Sequence, residues 1–219
     1  MKKLIKGVIF DLDGVLVSTD ELHFKAWQRL AKELGIMNFT KEDNLRQKGI
    51  SRMESLEVVL QKDNKIYSEQ DKLVFAEKKN SYFVELLQEL TPEDTLKDVL
   101  ETLEMLRKQG ILIGIGSASK NTPMILEKTG LRKYIDQVSC GLDTTKSKPD
   151  PEVFLVAAKK LNLKNEDCLV VEDSAAGIVA AKTANMKSLA VGPEYRQLGA
   201  DYMSLTLQSE VDWQVLLQV

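Results

Sequence analysis

Short apolar runs that each end in a polar cluster recur along this 219-residue chain, at Val8–Phe10, Ile111–Ile115, Leu169–Val171 and, more weakly, Leu189–Val191. Segments with helical periodicity lie between them. In Leu96–Gln109 the residues Leu96, Val99, Leu100, Leu103 and Leu106 are spaced as one helix face, and Pro151–Leu161 and Ser174–Ala184 also read as helices. Strand alternating with helix predicts an α/β fold, a doubly wound parallel sheet covered on both faces. In such sheets ligands bind beyond the carboxyl ends of the strands, which is where the polar clusters fall.

Residues 18–90 break this rhythm. Helical patterns run over Asp20–Leu34, Arg52–Gln61 and Ser68–Leu90 with no strand-like run between them. The first strand therefore leads into a helical insertion, and the alternation resumes only after Thr91-Pro92. The expected organisation is an α/β core of residues 1–17 and 91–219 with an inserted α-helical bundle cap over residues 18–90. Linkers near Val17–Asp20 and Gln88–Pro92 would form a two-strand hinge.

Composition narrows the class of partner. The chain is 43% hydrophobic and 29% charged, ordinary for a globular protein, and its net charge of −3 offers no basic footprint for nucleic acid. Cys140 and Cys168 have neither metal-type nor redox-type spacing and fit a reducing compartment. The apolar run after Met1-Lys-Lys3 is too short for a signal peptide or a membrane span. The expectation is a cytoplasmic monomer that acts on a small molecule.

Four clusters carry chemistry. Asp11 and Asp13 follow the first apolar run, and strand alternation puts both carboxylates on one side, where a cation would relieve their repulsion. Ser117-Ala-Ser-Lys-Asn121 follows the second run. Asn121 or Thr122 can cap the next helix, with Pro123 in its first turn, and serine hydroxyls beside a helix start suit phosphate. Lys148 precedes Pro149 in a constrained loop that could present its ammonium, although taken alone it reads more readily as a solvated lysine before a helix. Glu172-Asp173 directly follows Leu-Val-Val, and paired hard oxygen ligands at a buried strand end suit Mg²⁺. Together they make a set for phosphoryl transfer: a carboxylate nucleophile, a second carboxyl group for the proton, a metal site, and a hydroxyl with a lysine for the moving oxygens.

These residues give the chain a family resemblance. Phe10-Asp-Leu-Asp-Gly-Val15, Ser117-Ala-Ser-Lys-Asn121, Ser147-Lys-Pro149 and Glu172-Asp-Ser-Ala-Ala-Gly177 resemble the haloacid dehalogenase superfamily. Within it, His23-Phe-Lys-Ala-Trp27 and Lys48-Gly-Ile-Ser-Arg52 are similar to the β-phosphoglucomutases. The likeness covers nearly the whole chain and is weakest after about Pro193. It implies that Asp11 carries the phosphoryl group, that Asp13 is the general acid/base, and that Asp11, Asp13 (through its main-chain carbonyl), Glu172 and Asp173 hold Mg²⁺. Ser117 and Lys148 would stabilise the transferring group, and Ser119, Lys120 and Asn121 would contact the sugar phosphate. From the cap, Gly49, Ile50 and Arg52 would grip the distal phosphate. Thr19, His23 and Lys79 would gather near the acid/base.

The residues themselves leave two of these roles open. His23 lies at helical spacing with Trp27, Leu30 and Leu34, as a packed histidine would, and Lys79 sits in a charge run, Glu77-Lys-Lys-Asn80, that reads as a solvated face. The implied reaction interconverts β-D-glucose 1-phosphate and glucose 6-phosphate through an aspartyl phosphate and a 1,6-bisphosphate. A sugar-phosphate phosphatase on the same scaffold is the alternative. Dehalogenases and phosphonate hydrolases of the superfamily typically lack a carboxylate where Asp13 stands. A non-catalytic sugar-phosphate sensor fits poorly with an intact acid set. The loop Cys140–Thr145 has no assignment.

Overall fold

The computed structural model describes residues 4–218; Met1 to Lys3 and Val219, the two ends of the expected core segments, lie outside the described residues. Among these residues six strands form one parallel sheet: β1 (Gly7–Phe10), β2 (Leu112–Gly116), β3 (Gln137–Ser139), β4 (Cys168–Glu172), β5 (Lys187–Ala190) and β6 (Tyr202–Met203). Their order is β3-β2-β1-β4-β5-β6. The chain thus turns back beside β1, and a ligand crevice is expected at the carboxyl end of the central pair β1 and β4.

Alternation along the strands feeds two separate cores. On one face Val8, Phe10, Ile113, Ile115, Leu169 and Val171 pack with Val99, Leu103 and Leu106 of α5 (Val99–Lys108) and Ile125 and Leu126 of α6 (Thr122–Lys128). On the other, Ile9 and Val170 pack with Phe154 and Ala157 of α7 (Glu152–Lys160) and Ala180 and Ala181 of α8 (Ala175–Thr183). Each large aliphatic or aromatic side chain buried this way contributes roughly 1.5–3 kcal/mol.

Strands β3 and β6 have no counterpart among the apolar runs read from the sequence. They are the sheet edges, three and two residues long, and Gln137-Val-Ser139 needs only one buried neighbour rather than an apolar run on both faces. The segment Trp213–Leu216 forms one further short helix.

Between β1 and α5 lies an all-helical insertion: α1 (Asp20–Glu33), α2 (Lys41–Leu45), α3 (Arg52–Leu60) and α4 (Glu69–Leu87). The last three begin with reciprocal caps, Thr40 with Asp43, Ser51 with Glu54 and Ser68 with Asp71, which satisfy otherwise orphaned N–H groups. Trp27, Leu30, Leu56, Phe83 and Leu87 close its interior. Leu12, Val15, Leu16 and Val17 join that interior to the sheet face.

The insertion lies against the carboxyl ends of the strands. Gly49, at φ +76°, fits directly over Ser174, whose Oγ is 2.5 Å from where a Cβ would stand. Asn121 Nδ2 donates to Asn80 Oδ1 at 2.9 Å, and Ser147 Oγ donates to Glu54 Oε2.

Candidate active site

Strand register brings three of the predicted groups level. Phe10 pairs with Ile115 on one side and Val171 on the other, so Asp11 stands beside Gly116 and Glu172, one residue short of Ser117. The Asp11 N–H donates to Val171 O at 2.9 Å and the Ser117 N–H to Ser139 O at 3.1 Å, which prolongs the sheet into the site. Glu172 is locked in place by the Ser174 N–H (2.7 Å) and hydroxyl (2.9 Å). Gly177, in the first turn of α8, lies so close to the Glu172 carboxylate that a Cβ there would collide with it.

Lys148 is no solvated lysine. Its side chain is fully buried, and its ammonium donates to Asp11 Oδ1 at 2.8 Å and Glu172 Oε1 at 2.5 Å while lying 4.8 Å from the centre of the Phe154 ring. Burial works against that charge, but Asp11 and Glu172 outweigh it and the Lys148 pKa is raised. Burial likewise pushes the Asp11 carboxyl well above its usual range, with Lys148 pulling it down and Glu172, Asp13 and Asp173 adding repulsion. Asp173 is pushed up to about 7 by burial and then by Glu172, against the pull of Lys48.

Oxygens of Asp11, Glu172 and Asp173 lie within 4.8 Å of one another. Three buried carboxylates at that spacing are a donor set of the hard kind a small divalent cation takes, and the raised pKa values mark charge that the neighbouring lysines leave uncompensated. The residues present fit a metal ion.

Asp13 sits one strand repeat beyond Asp11. It accepts a hydrogen bond from the buried Thr19 hydroxyl, and its pKa is raised by burial, with the Thr19 bond opposing. His23 Nε2 lies 3.9 Å from Asp13 Oδ1, and Lys79 Nζ lies 2.9 Å from His23 Nδ1. When Lys79 is protonated its ammonium can only donate, so that Nδ1 then accepts and Nε2 carries the ring proton toward Asp13. Burial, then Lys79 and Arg52, hold the His23 pKa well below its ordinary value, as a neutral ring requires.

Both readings of His23 therefore meet in one residue, since the same ring stacks on Phe83 at 3.9 Å. Lys79, by contrast, departs from the solvated face suggested by its charge run. It is buried against Trp27 and Phe83, with its nitrogen 4.7 and 4.6 Å from the ring centres, and burial drops its pKa to about 7. Its neighbour Lys78 takes the exposed position and pairs with Glu33.

Asp11, Asp13, His23, Lys79, Ser117, Lys148 and Asp173 line a cleft of about 1030 Å³ together with Gly49, Ile50, Arg52, Ser119, Lys120 and Asn121. Arg52 opens α3 and pairs with the exposed Glu77 at 2.8 Å. Asn121 precedes α6 without a capping bond from its side chain, which reaches instead to Asn80 across the cleft; the Asn121 N–H donates to Ser119 Oγ. The Cys140–Thr145 loop is held by Asp143, which accepts from the Cys140 N–H and from Lys160. Glu152 accepts from the Thr145 and Lys146 N–H groups and so anchors the approach to Lys148.

One further participant carries no signal of its own role in the sequence. Lys48, part of the Lys48–Arg52 motif, donates to Asp173 Oδ2 at 2.8 Å and contacts Asp20 Oδ2 at 2.9 Å. The available signal lies in its neighbour: Lys48 directly precedes Gly49, which rests on Ser174.

Residues 8–191 match the family model of the haloacid dehalogenase-like hydrolases. The chain belongs to that family. Among its members, a β-phosphoglucomutase of Bacillus subtilis (strain 168) is 41% identical over 203 residues, covering 90% of this chain and 88% of that protein. A phosphorylated carbohydrates phosphatase of Thermotoga maritima is 32% identical over 188 residues, covering 84% of each. Among solved structures of the family, the crystal structure of a β-phosphoglucomutase from Clostridium difficile superposes with a TM-score of 0.90 at 37% identity, covering 97% of this chain and 96% of that one. Among the described residues no helix is long and apolar enough to cross a membrane.

Proposed function

We propose that this chain interconverts β-D-glucose 1-phosphate and D-glucose 6-phosphate, with Asp11 carrying the phosphoryl group and a 1,6-bisphosphate as the intermediate. The observation that carries the reading is the pairing of two walls across one cleft. Asp11, with Lys148 bonded to it, lies on the core wall, and Arg52 opens a helix on the facing wall. A substrate with a phosphate at each end needs such a second grip, and the planar guanidinium of Arg52 suits a bidentate hold on whichever phosphate is not reacting.

In this reading an Asp11 oxygen attacks phosphorus while Asp13 gives its proton to the leaving sugar oxygen. Asp13 then takes a proton from the incoming hydroxyl as the phosphoryl group returns to the sugar. A raised Asp13 pKa suits a group that must carry a proton into the first half and, having given it up, take one back in the second. Lys148 and Ser117 stabilise charge on the transferring oxygens, and Ser119, Lys120 and Asn121 contact the sugar phosphate. Asp11, Glu172, Asp173 and the main-chain carbonyl of Asp13 would hold Mg²⁺, which would offset the negative charge of the phosphate.

Residues 18–90 act as a cap on the core of residues 1–17 and 91–219. Thr19 and His23 reach Asp13 from the cap, with Lys79 behind His23, so closure would orient the acid/base and exclude water together. The likeness to a sugar-phosphate phosphatase supports a second reading, in which water accepts the phosphoryl group. Incubating the protein with β-glucose 1-phosphate, Mg²⁺ and catalytic 1,6-bisphosphate separates the two. Glucose 6-phosphate is expected; free phosphate without glucose 6-phosphate would overturn the mutase reading.

A further inference from the structure

Every carboxylate of the Asp11–Glu172–Asp173 cluster has a lysine bonded to it, but the two lysines differ in origin. Lys148 comes from the core loop before α7 and serves Asp11 and Glu172, so its charge is fixed relative to the cluster. Lys48 comes from the helical insertion, between α2 and α3, and serves Asp173. It is anchored by Asp20 at the base of α1, at 2.9 Å, and is only 22% exposed. Gly49, the next residue, is seated on Ser174, so the Lys48 contact exists only while the insertion lies against the core.

We infer that Lys48 sets the divalent-cation affinity of the Asp11–Glu172–Asp173 cluster from across the cleft, so that a cation binds more tightly when the insertion swings away. The inference rests on the reading of that cluster as a metal site. Its physical basis is direct. An ammonium 2.8 Å from Asp173 neutralises part of the charge that a divalent ion needs, and it repels that ion through a water-poor medium in which charges interact strongly.

Linkage makes the effect reciprocal. Whatever factor the Lys48 contact takes from cation affinity, the bound cation takes from the closed form. Cation alone would therefore favour opening, and an anionic phosphate in the cleft would be needed to bring the two walls together again. Metal first, sugar phosphate second, closure last is the order that follows.

The test is cation binding by the full-length protein without substrate, read by calorimetry with Mg²⁺ and by the free-ion paramagnetic signal with Mn²⁺. Lys48→Met is expected to tighten binding by about fivefold or more, the lower range of ordinary coupling between sites. Lys48→Arg keeps the charge and is expected to bind as the unmodified chain does. Lys146→Met removes another cleft-lining lysine, one paired with Asp150 instead, and is expected to change nothing. Small-angle scattering supplies the reciprocal readout: Mg²⁺ alone should expand the unmodified chain and leave Lys48→Met unmoved.

Unchanged or weaker binding in Lys48→Met, with Asp173→Asn still abolishing it, would overturn this inference and leave the metal site standing. Equal tightening by Lys146→Met would also overturn it, because the effect would then be general charge. Undiminished binding in Asp173→Asn would overturn the metal site and this inference together.

Discussion

On the core side of the cleft Lys148, Asp11 and Glu172 are almost wholly buried, bonded to one another and held by strand register, whereas on the insertion side Lys48, Arg52 and His23 keep 22%, 19% and 29% of their side-chain surface exposed. The partners differ as much as the burial. Lys148, Asp11 and Glu172 are bonded within their own wall, while Lys48 reaches across to Asp173 and Arg52 rests on an exposed glutamate. A wall that satisfies itself can stay rigid through a reaction. A wall whose cations sit on exchangeable partners can give them up to a ligand; for Arg52 that costs one ion pair to an exposed glutamate, worth at most about 1 kcal/mol.

Substitutions that separate the walls by effect would sharpen this contrast. The largest loss is expected for Asp11→Asn, which removes the proposed nucleophile: turnover of β-glucose 1-phosphate should fall by about four orders of magnitude or more, with the fold retained by circular dichroism. Lys148→Met comes next and should injure both function and fold. It leaves two buried carboxylates without their partner, which typically costs about 3–5 kcal/mol in denaturant unfolding. Mg²⁺ should restore part of that stability. A Lys148→Met protein as stable as the original in the absence of metal would break the picture of a self-satisfied core wall.

Arg52→Lys on the facing wall is expected to leave stability unchanged. It should cost about tenfold to a hundredfold in kcat/KM for isomerisation, since one point charge replaces a bidentate fork, and it should raise the share of phosphate lost to water. Equal losses in isomerisation and in phosphate release would deny Arg52 a role in choosing the acceptor.

The smallest effect is a pH dependence. Lys79 has a folded-state pKa lowered to about 7 from 10.5, mainly by burial. The unfolded chain therefore binds more protons than the folded one between those values, and stability rises with pH across that window. Below about pH 7 both states are protonated and the folded state bears the full penalty of a buried charge. Lys79→Met should accordingly be more stable than the original protein at pH 6 by up to a few kcal/mol, with the difference shrinking toward pH 9. A difference independent of pH, or one that grows with pH, would contradict this placement of Lys79.

The sequence exposed the core wall more fully than the insertion wall, for reasons visible in single residues. Asp11 and Glu172 end apolar runs, so one-dimensional pattern already fixes their height on the sheet. Strands β3 and β6 lack such runs because edge strands need less burial. Lys79 was hidden because a charged residue in Glu77-Lys-Lys-Asn80 looks like its neighbours; only helix phase, which turns Lys79 inward and Lys78 outward, tells them apart. Lys48 was hidden for a different reason. Its partner Asp173 lies 125 residues away, and no local pattern encodes a contact between the insertion and the core.

In the proposed reaction a phosphoryl group held on Asp11 is handed to a sugar and kept from water. Enzyme phosphorylated with isotopically labelled 1,6-bisphosphate and then mixed with β-glucose 1-phosphate, in a single turnover with Mg²⁺, reads the acceptor directly. Label is expected to leave Asp11 mainly on sugar bisphosphate and glucose 6-phosphate. Label appearing mainly as inorganic phosphate, at the same rate with or without the sugar phosphate, would contradict the account.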